Sequence, residues 1–285
     1  MSTFAEGLER AFTEQRHLCA GIDPHAALLA DWGLTDDADG AERLGRDTVA
    51  AAAGVVACVK PQVAFFERFG AAGYTALERV LVDARQAGVT VIADVKRGDI
   101  GTSFAAYADA WLTPGSPLEV DAMTVVAYQG FGSLEGAFSH VRERGKGLFL
   151  LAATSNPEAQ EVQRAVRADS RTVARAMLDD AVTFNSHLGS GAQVGSIGVV
   201  LGATLNLSEY GIDISAPHPS PALPVLAPGY GAQGARIEDA RRTFGSLAWA
   251  LLANESRSIL AGGSAGLAER IRERSAAITE ALTIA

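Results

Sequence analysis

The chain has 285 residues, 48% of them hydrophobic, and a formal net charge of -9. That apolar content supports a sizeable core, in one large α/β domain or two smaller ones. The acidic balance excludes a general nucleic-acid binder, which would carry a basic face. It leaves room for a small anion held by a few placed cations.

The opening "MSTFAEGLERAF" predicts a short amphipathic helix. It has no basic leader region, and no run in the chain approaches the ~20 apolar residues of a membrane span. A soluble, cytoplasmic protein without membrane association is expected. Apolar runs then recur at 17–23, 54–60, 89–96, 120–127, 147–154, 197–204, 224–229 and 257–263. Helical patterns such as "GYTALERVLVDARQAG" and "SRTVARAMLDDAVTFNSHLG" lie between them. Continuous apolar runs alternating with amphipathic helices indicate βα units and a parallel sheet. Eight units fit a single-domain (β/α)8 TIM barrel spanning residues 1–285. An open doubly wound sheet is the rival, weakened by the lack of a G-x-G-x-x-G after the first strand. Two segments break the rhythm: "DWGLTDDADG" at 31–40, and a long Pro/Gly-rich loop around 205–233, which reads as a binding loop or lid. Cys19 and Cys58 fall inside apolar runs and read as buried thiols, not as a disulfide framework or zinc site.

In a barrel of this kind the active site lies at the C-terminal strand ends. The first strand ends in Asp23, the second in Lys60, the third in Asp94 and Lys96, the fifth in Thr154 and Ser155. The seventh runs into "PGYGAQG", and the eighth begins beside Arg257. Alternation along the third strand puts Asp94 and Lys96 on one face and Val95 on the other. Lys60 on the neighbouring strand reaches the same region. An array Lys60–Asp94–Lys96 alternates in sign, which is how buried charges stay ionised. A purely structural ion-pair network is the plainer alternative, but it accounts for neither the Gly-rich turn nor the features at the last strands. There, "PGYGAQG" offers backbone N–H groups and the Gln233 amide, and Arg257 suits bidentate phosphate contact. Loops after strands 7 and 8 are the usual phosphate position of the fold, so a phosphorylated substrate is expected.

The segments "GIDPH", "VKPQVAFFE", "DVKRGDIG", "AATSNPE" and "GVVLGAT" resemble orotidine 5'-phosphate decarboxylase, in its bacterial subgroup with the KRGDI motif. The resemblance covers roughly residues 15–265. It implies decarboxylation of orotidine 5'-phosphate to UMP, the last step of de novo pyrimidine synthesis, without metal or organic cofactor, by a homodimer with shared active sites. Carried over residue by residue, it makes Lys96 the proton donor to the pyrimidine C6. Lys60, Asp94, Lys96 and Asp99 form the charged array, with Asp99 and its neighbour Ile100 serving the partner subunit's site. Asp23 and Lys60 touch the ribose hydroxyls and Ser155 the pyrimidine. Gln233 and Arg257 hold the phosphate. Ser103 stands where the family usually has a ligand-facing Thr, and the adjacent Thr102 leaves that register open. The strand-4 end, Val126–Tyr128, departs from the small polar residue and proline expected there.

Two rivals are kept. One is a Mg-dependent sugar-phosphate decarboxylase or hexulose-phosphate synthase on the same barrel. Its metal would be repelled by Lys60. The other is a non-catalytic nucleotide-binding protein, which has no need of a proton donor.

Overall fold

The computed structural model describes residues 2–189, 191–231 and 233–283. Eight parallel strands follow one another: β1 (Leu18–Ile22), β2 (Cys58–Pro61), β3 (Ile92–Arg97), β4 (Ala122–Val125), β5 (Gly147–Ala153), β6 (Ile197–Leu201), β7 (Val225–Pro228) and β8 (Leu251–Glu255). Their order in the sheet is β2-β1-β8-β7-β6-β5-β4-β3. Parallel bridges Val59↔Val91 and Gln62↔Asp94 join β2 to β3 and close the ring. This is the (β/α)8 barrel that the alternating runs predict.

The side chains divide between two cores, as the period of two along a strand requires. Those facing inward, including Cys19, Cys58, Ile92, Phe149 and Leu252, fill the barrel axis. Those facing outward, such as Ala93, Val95, Leu148 and Val199, pack under the surrounding helices. The N-terminal helix Phe4–Thr13 starts in a capping box, Thr3 with Glu6. It presses Phe4, Leu8 and Phe12 into the inner core. Phe4 meets Phe149 edge-on, with ring centroids 6.0 Å apart. The predicted amphipathic helix is thus a plug for the N-terminal end of the barrel.

One strand differs from the sequence reading. The eighth is Leu251–Glu255, not the apolar run at 257–263. Residues Arg257–Leu260 form a short helix that buries Ile259 and Leu260. A short apolar run does not by itself distinguish strand from helix. The true strand, "LLANE", hides its apolar signal by placing Asn254 and Glu255 at its functional end. Arg257 therefore follows β8 instead of starting it. Within 205–233 the chain makes a 3-10 turn, Leu207–Tyr210, and then β7.

Candidate active site

A cavity of about 270 Å3 opens at the C-terminal ends of the strands, lined by polar side chains from most of them. A larger hollow at the opposite end is lined by Arg85, Glu119 and Lys146, whose charges already pair with one another.

Asp94 is the centre of the upper cavity. Its Oδ2 accepts from Lys60 Nζ at 2.7 Å and from Gln62 Nε2 at 3.1 Å. Its Oδ1 accepts from Lys96 Nζ at 2.5 Å and from Thr124 Oγ1 at 3.0 Å. Asp94 and Lys60 are buried, whereas the Lys96 side chain remains 43% exposed at the mouth. Burial by itself would raise the Asp94 carboxyl. The charges of Lys60 and Lys96, with their hydrogen bonds, outweigh it and hold the group well below the usual carboxylate range. Burial would likewise lower Lys60, but Asp94 and Asp23 lift it above the ordinary ammonium value. Asp94 and Lys60 therefore keep each other ionised.

Asp23 stands just beyond β1. Its Oδ1 is buried without a hydrogen-bond partner among the described residues. A buried carboxylate oxygen left unpaired is costly, so this atom is suited to receive a ligand hydroxyl. Ser155 lies exposed in the loop after β5. The Gln163 side chain steadies that loop, accepting from Thr154 N at 2.9 Å and donating to Thr154 Oγ1 at 3.0 Å. Gln233 comes from a tight turn after β7. There Gly229, Gly231 and Gly234 all take positive φ, and Gly231 N donates to Ala235 O. Only glycine adopts such angles without strain, and the turn so formed brings Gln233 to the cavity lining.

The structure thus brings Asp23, Lys60, Asp94, Lys96, Ser155 and Gln233 around one space. Arg257 lies outside its lining, exposed at the start of the helix after β8. Asp99, Ile100, Thr102 and Ser103 are outside it as well. Asp99 Oδ1 accepts the Ile100 N–H at 2.8 Å, and Ile100 is 60% exposed. Thr102 and Ser103 are both exposed in the first turn of the helix Gly101–Leu112. The chain leaves β3 at Gly98, where an added Cβ would lie 2.2 Å from Val126 O, so no other residue fits that crossing. At the unusual strand-4 end, Val126 N donates to Arg97 O and Tyr128 is 81% exposed.

Sequence reasoning missed Gln62, Thr124 and Asn254, which also line the cavity. Gln62 shares the face of Lys60 two residues on, and Thr124 is the lone polar residue inside "AMTVV", so both carried a signal. Asn254 was hidden by the misplaced eighth strand. Among the described residues no group of three His, Cys, Asp or Glu side chains could hold a metal ion. None of the described helices is long and apolar enough to cross a membrane.

Residues 16–266 match the model of the orotidine 5'-phosphate decarboxylase / HUMPS family. The chain is 49% identical over 264 residues to an orotidine 5'-phosphate decarboxylase of Streptomyces coelicolor, covering 92% of this chain and 91% of that one. It is 45% identical over 265 residues to its counterpart in Corynebacterium glutamicum, with 92% and 91% covered. Among solved structures it is similar to a protein from Streptomyces avermitilis assigned as an orotidine 5'-phosphate decarboxylase. That similarity has a TM-score of 0.91 and 46% identity, over 100% of this chain and 97% of that one.

Proposed function

This chain belongs to the orotidine 5'-phosphate decarboxylase / HUMPS family, and we propose that it is a decarboxylase working through Lys96. It converts orotidine 5'-phosphate to UMP and CO2. The observation that carries this reading is the pair of ammonium groups bound to one buried carboxylate at the barrel mouth.

In this reaction the bond from C6 to the carboxylate breaks, CO2 leaves, and the electron pair stays on C6. That carbanion has no conjugated sink in the ring, so the surroundings must stabilise it electrostatically. Lys96 is the exposed member of the array, and its Nζ supplies the positive charge and then the proton that makes UMP. It regains a proton from solvent. Asp94 keeps that ammonium oriented. Lys60 keeps Asp94 ionised and, with Asp23, meets the ribose hydroxyls; the unpartnered Asp23 Oδ1 supports that role. Ser155 meets the pyrimidine. Gln233 and Arg257 take the phosphate, whose binding energy offsets the cost of desolvating the reacting end.

The reading includes a homodimer in the cytoplasm. Ile100, which caps the helix Gly101–Leu112, and Tyr107 within that helix are both exposed, and Tyr128 is exposed beyond β4. The exposed Ile100 next to Asp99 supports that carboxylate's service to a partner subunit's site, with Ile100 and either Thr102 or Ser103 alongside.

The magnesium-dependent branch of the family needs carboxylate oxygens free for a cation. Both oxygens of Asp94 are instead taken by ammonium, amide and hydroxyl donors. Incubating EDTA-treated protein with orotidine 5'-phosphate, and following the loss of its ultraviolet absorbance, tests this. Full turnover is expected. Activity that returns only with Mg2+ contradicts it.

A further inference from the structure

β3 does not run straight to its end. Ala93 stands opposite Met123 and Arg97 opposite Val125, so Asp94, Val95 and Lys96 have only Thr124 across from them on β4. Surplus residues on one side of a ladder make a bulge, which strips a backbone group of its regular partner and re-aims a side chain. Here the surplus is taken up at Lys96, whose φ is +47°. Non-glycine residues seldom adopt that region, and they hold it only where neighbours over-determine it.

The neighbour that does so is Thr124, a side chain only 1% exposed. Its Oγ1 accepts from Lys96 N at 2.9 Å and donates to Asp94 Oδ1 at 3.0 Å. A hydroxyl has one hydrogen, so with that hydrogen on the carboxylate a lone pair is left for the Lys96 N–H. The same Oδ1 takes the Lys96 ammonium. One hydroxyl thus links the backbone of Lys96, through Asp94, to its own side chain. We infer that Thr124 is a positioning residue, whose hydroxyl holds Lys96 in its left-handed turn and fixes the ammonium at the reacting carbon. Gln62 also binds Asp94, but it has no bond to Lys96. The inference rests on Lys96 being the proton donor. It adds a reason for the polar residue buried in β4.

The test compares wild type with Thr124→Val, which keeps the shape but loses the hydroxyl, and Thr124→Ser, which keeps the hydroxyl. The measurements are kcat and KM for orotidine 5'-phosphate, affinity for UMP, and Tm. Thr124→Val is expected to lose kcat by about 10- to 100-fold while KM and UMP affinity stay within about threefold. Thr124→Ser is expected to stay within about threefold of wild type in kcat. If the valine form does not fold, Thr124→Ala removes the same hydroxyl, with the same outcomes expected. Wild-type turnover without the hydroxyl, an equal loss in the serine form, or a loss confined to KM overturns the assignment. A wild type inactive on orotidine 5'-phosphate overturns the functional reading, and this inference with it.

Discussion

Lys60 and Lys96 hold opposite oxygens of one carboxylate, at 2.7 and 2.5 Å from Asp94. They differ in exposure, Lys60 at 6% of its side chain and Lys96 at 43%. The arrangement separates two tasks that a single lysine could not perform together. The buried cation neutralises the carboxylate, and in the proposed reaction the exposed one faces the substrate and gives up a proton.

This pairing sets the pH behaviour. Asp94 is held below the usual carboxylate range and Lys60 above the usual ammonium range. A carboxyl with a lowered folded-state value contributes stability that is present above its unfolded value of about 3.9 and lost only as pH falls through the lowered one. Asp94 therefore stays ionised through mildly acidic conditions. At saturating substrate, kcat should show no acid limb between about pH 5 and 7. An apparent ionisation in that window, abolished by changing Asp94, would contradict the assigned charge state.

Arg257 sits beyond the cavity lining, and the proposed reading assigns it to the phosphate. Arg257→Ala should cost about 2–4 kcal/mol in kcat/KM for the nucleotide, and little for the unphosphorylated nucleoside. Steady-state kinetics on both substrates decides this. Equal losses would make Arg257 structural.

The barrel's plug lies at the end away from the chemistry. Phe4→Ala removes a buried ring that packs edge-on against Phe149. It should lower stability by about 3–5 kcal/mol in denaturant unfolding and leave kcat unchanged. A large fall in kcat with little change in stability would mean that this end communicates with the site.

These contrasts show what the sequence makes legible. The barrel could be read because seven of its eight strands are apolar runs in which both faces are buried, and Asp23, Lys60, Asp94 and Lys96 could be placed because polar residues ending such runs are conspicuous. The eighth strand could not, because "LLANE" ends in Asn254 and Glu255. The bulge could not either. Alternation puts Asp94 and Lys96 on one face, but nothing in "ADVKR" discloses that Lys96 leaves the regular strand, or that Thr124 on another strand holds it there. Such features arise from pairing between distant segments, which single-strand periodicity does not encode.

The proposed shared site is tested by mixing. Lys96→Ala and Asp99→Asn homodimers should each be nearly inactive. Unfolded, mixed in equal amounts and refolded, they pair at random, and about half the dimers are mixed. Two-fold symmetry gives each mixed dimer one intact site, so about a quarter of wild-type activity returns. An inactive mixture, with mixed dimers confirmed by mass, would place Asp99 in its own barrel.

The central claim is that this chain decarboxylates orotidine 5'-phosphate through the Lys96 ammonium. The direct test measures turnover of that substrate and binding of UMP by wild type and by Lys96→Ala. The wild type should form UMP, and the alanine form should lose kcat by several orders of magnitude while binding UMP within about tenfold of wild type. Near-normal turnover by Lys96→Ala, or no turnover by the wild type, would contradict it.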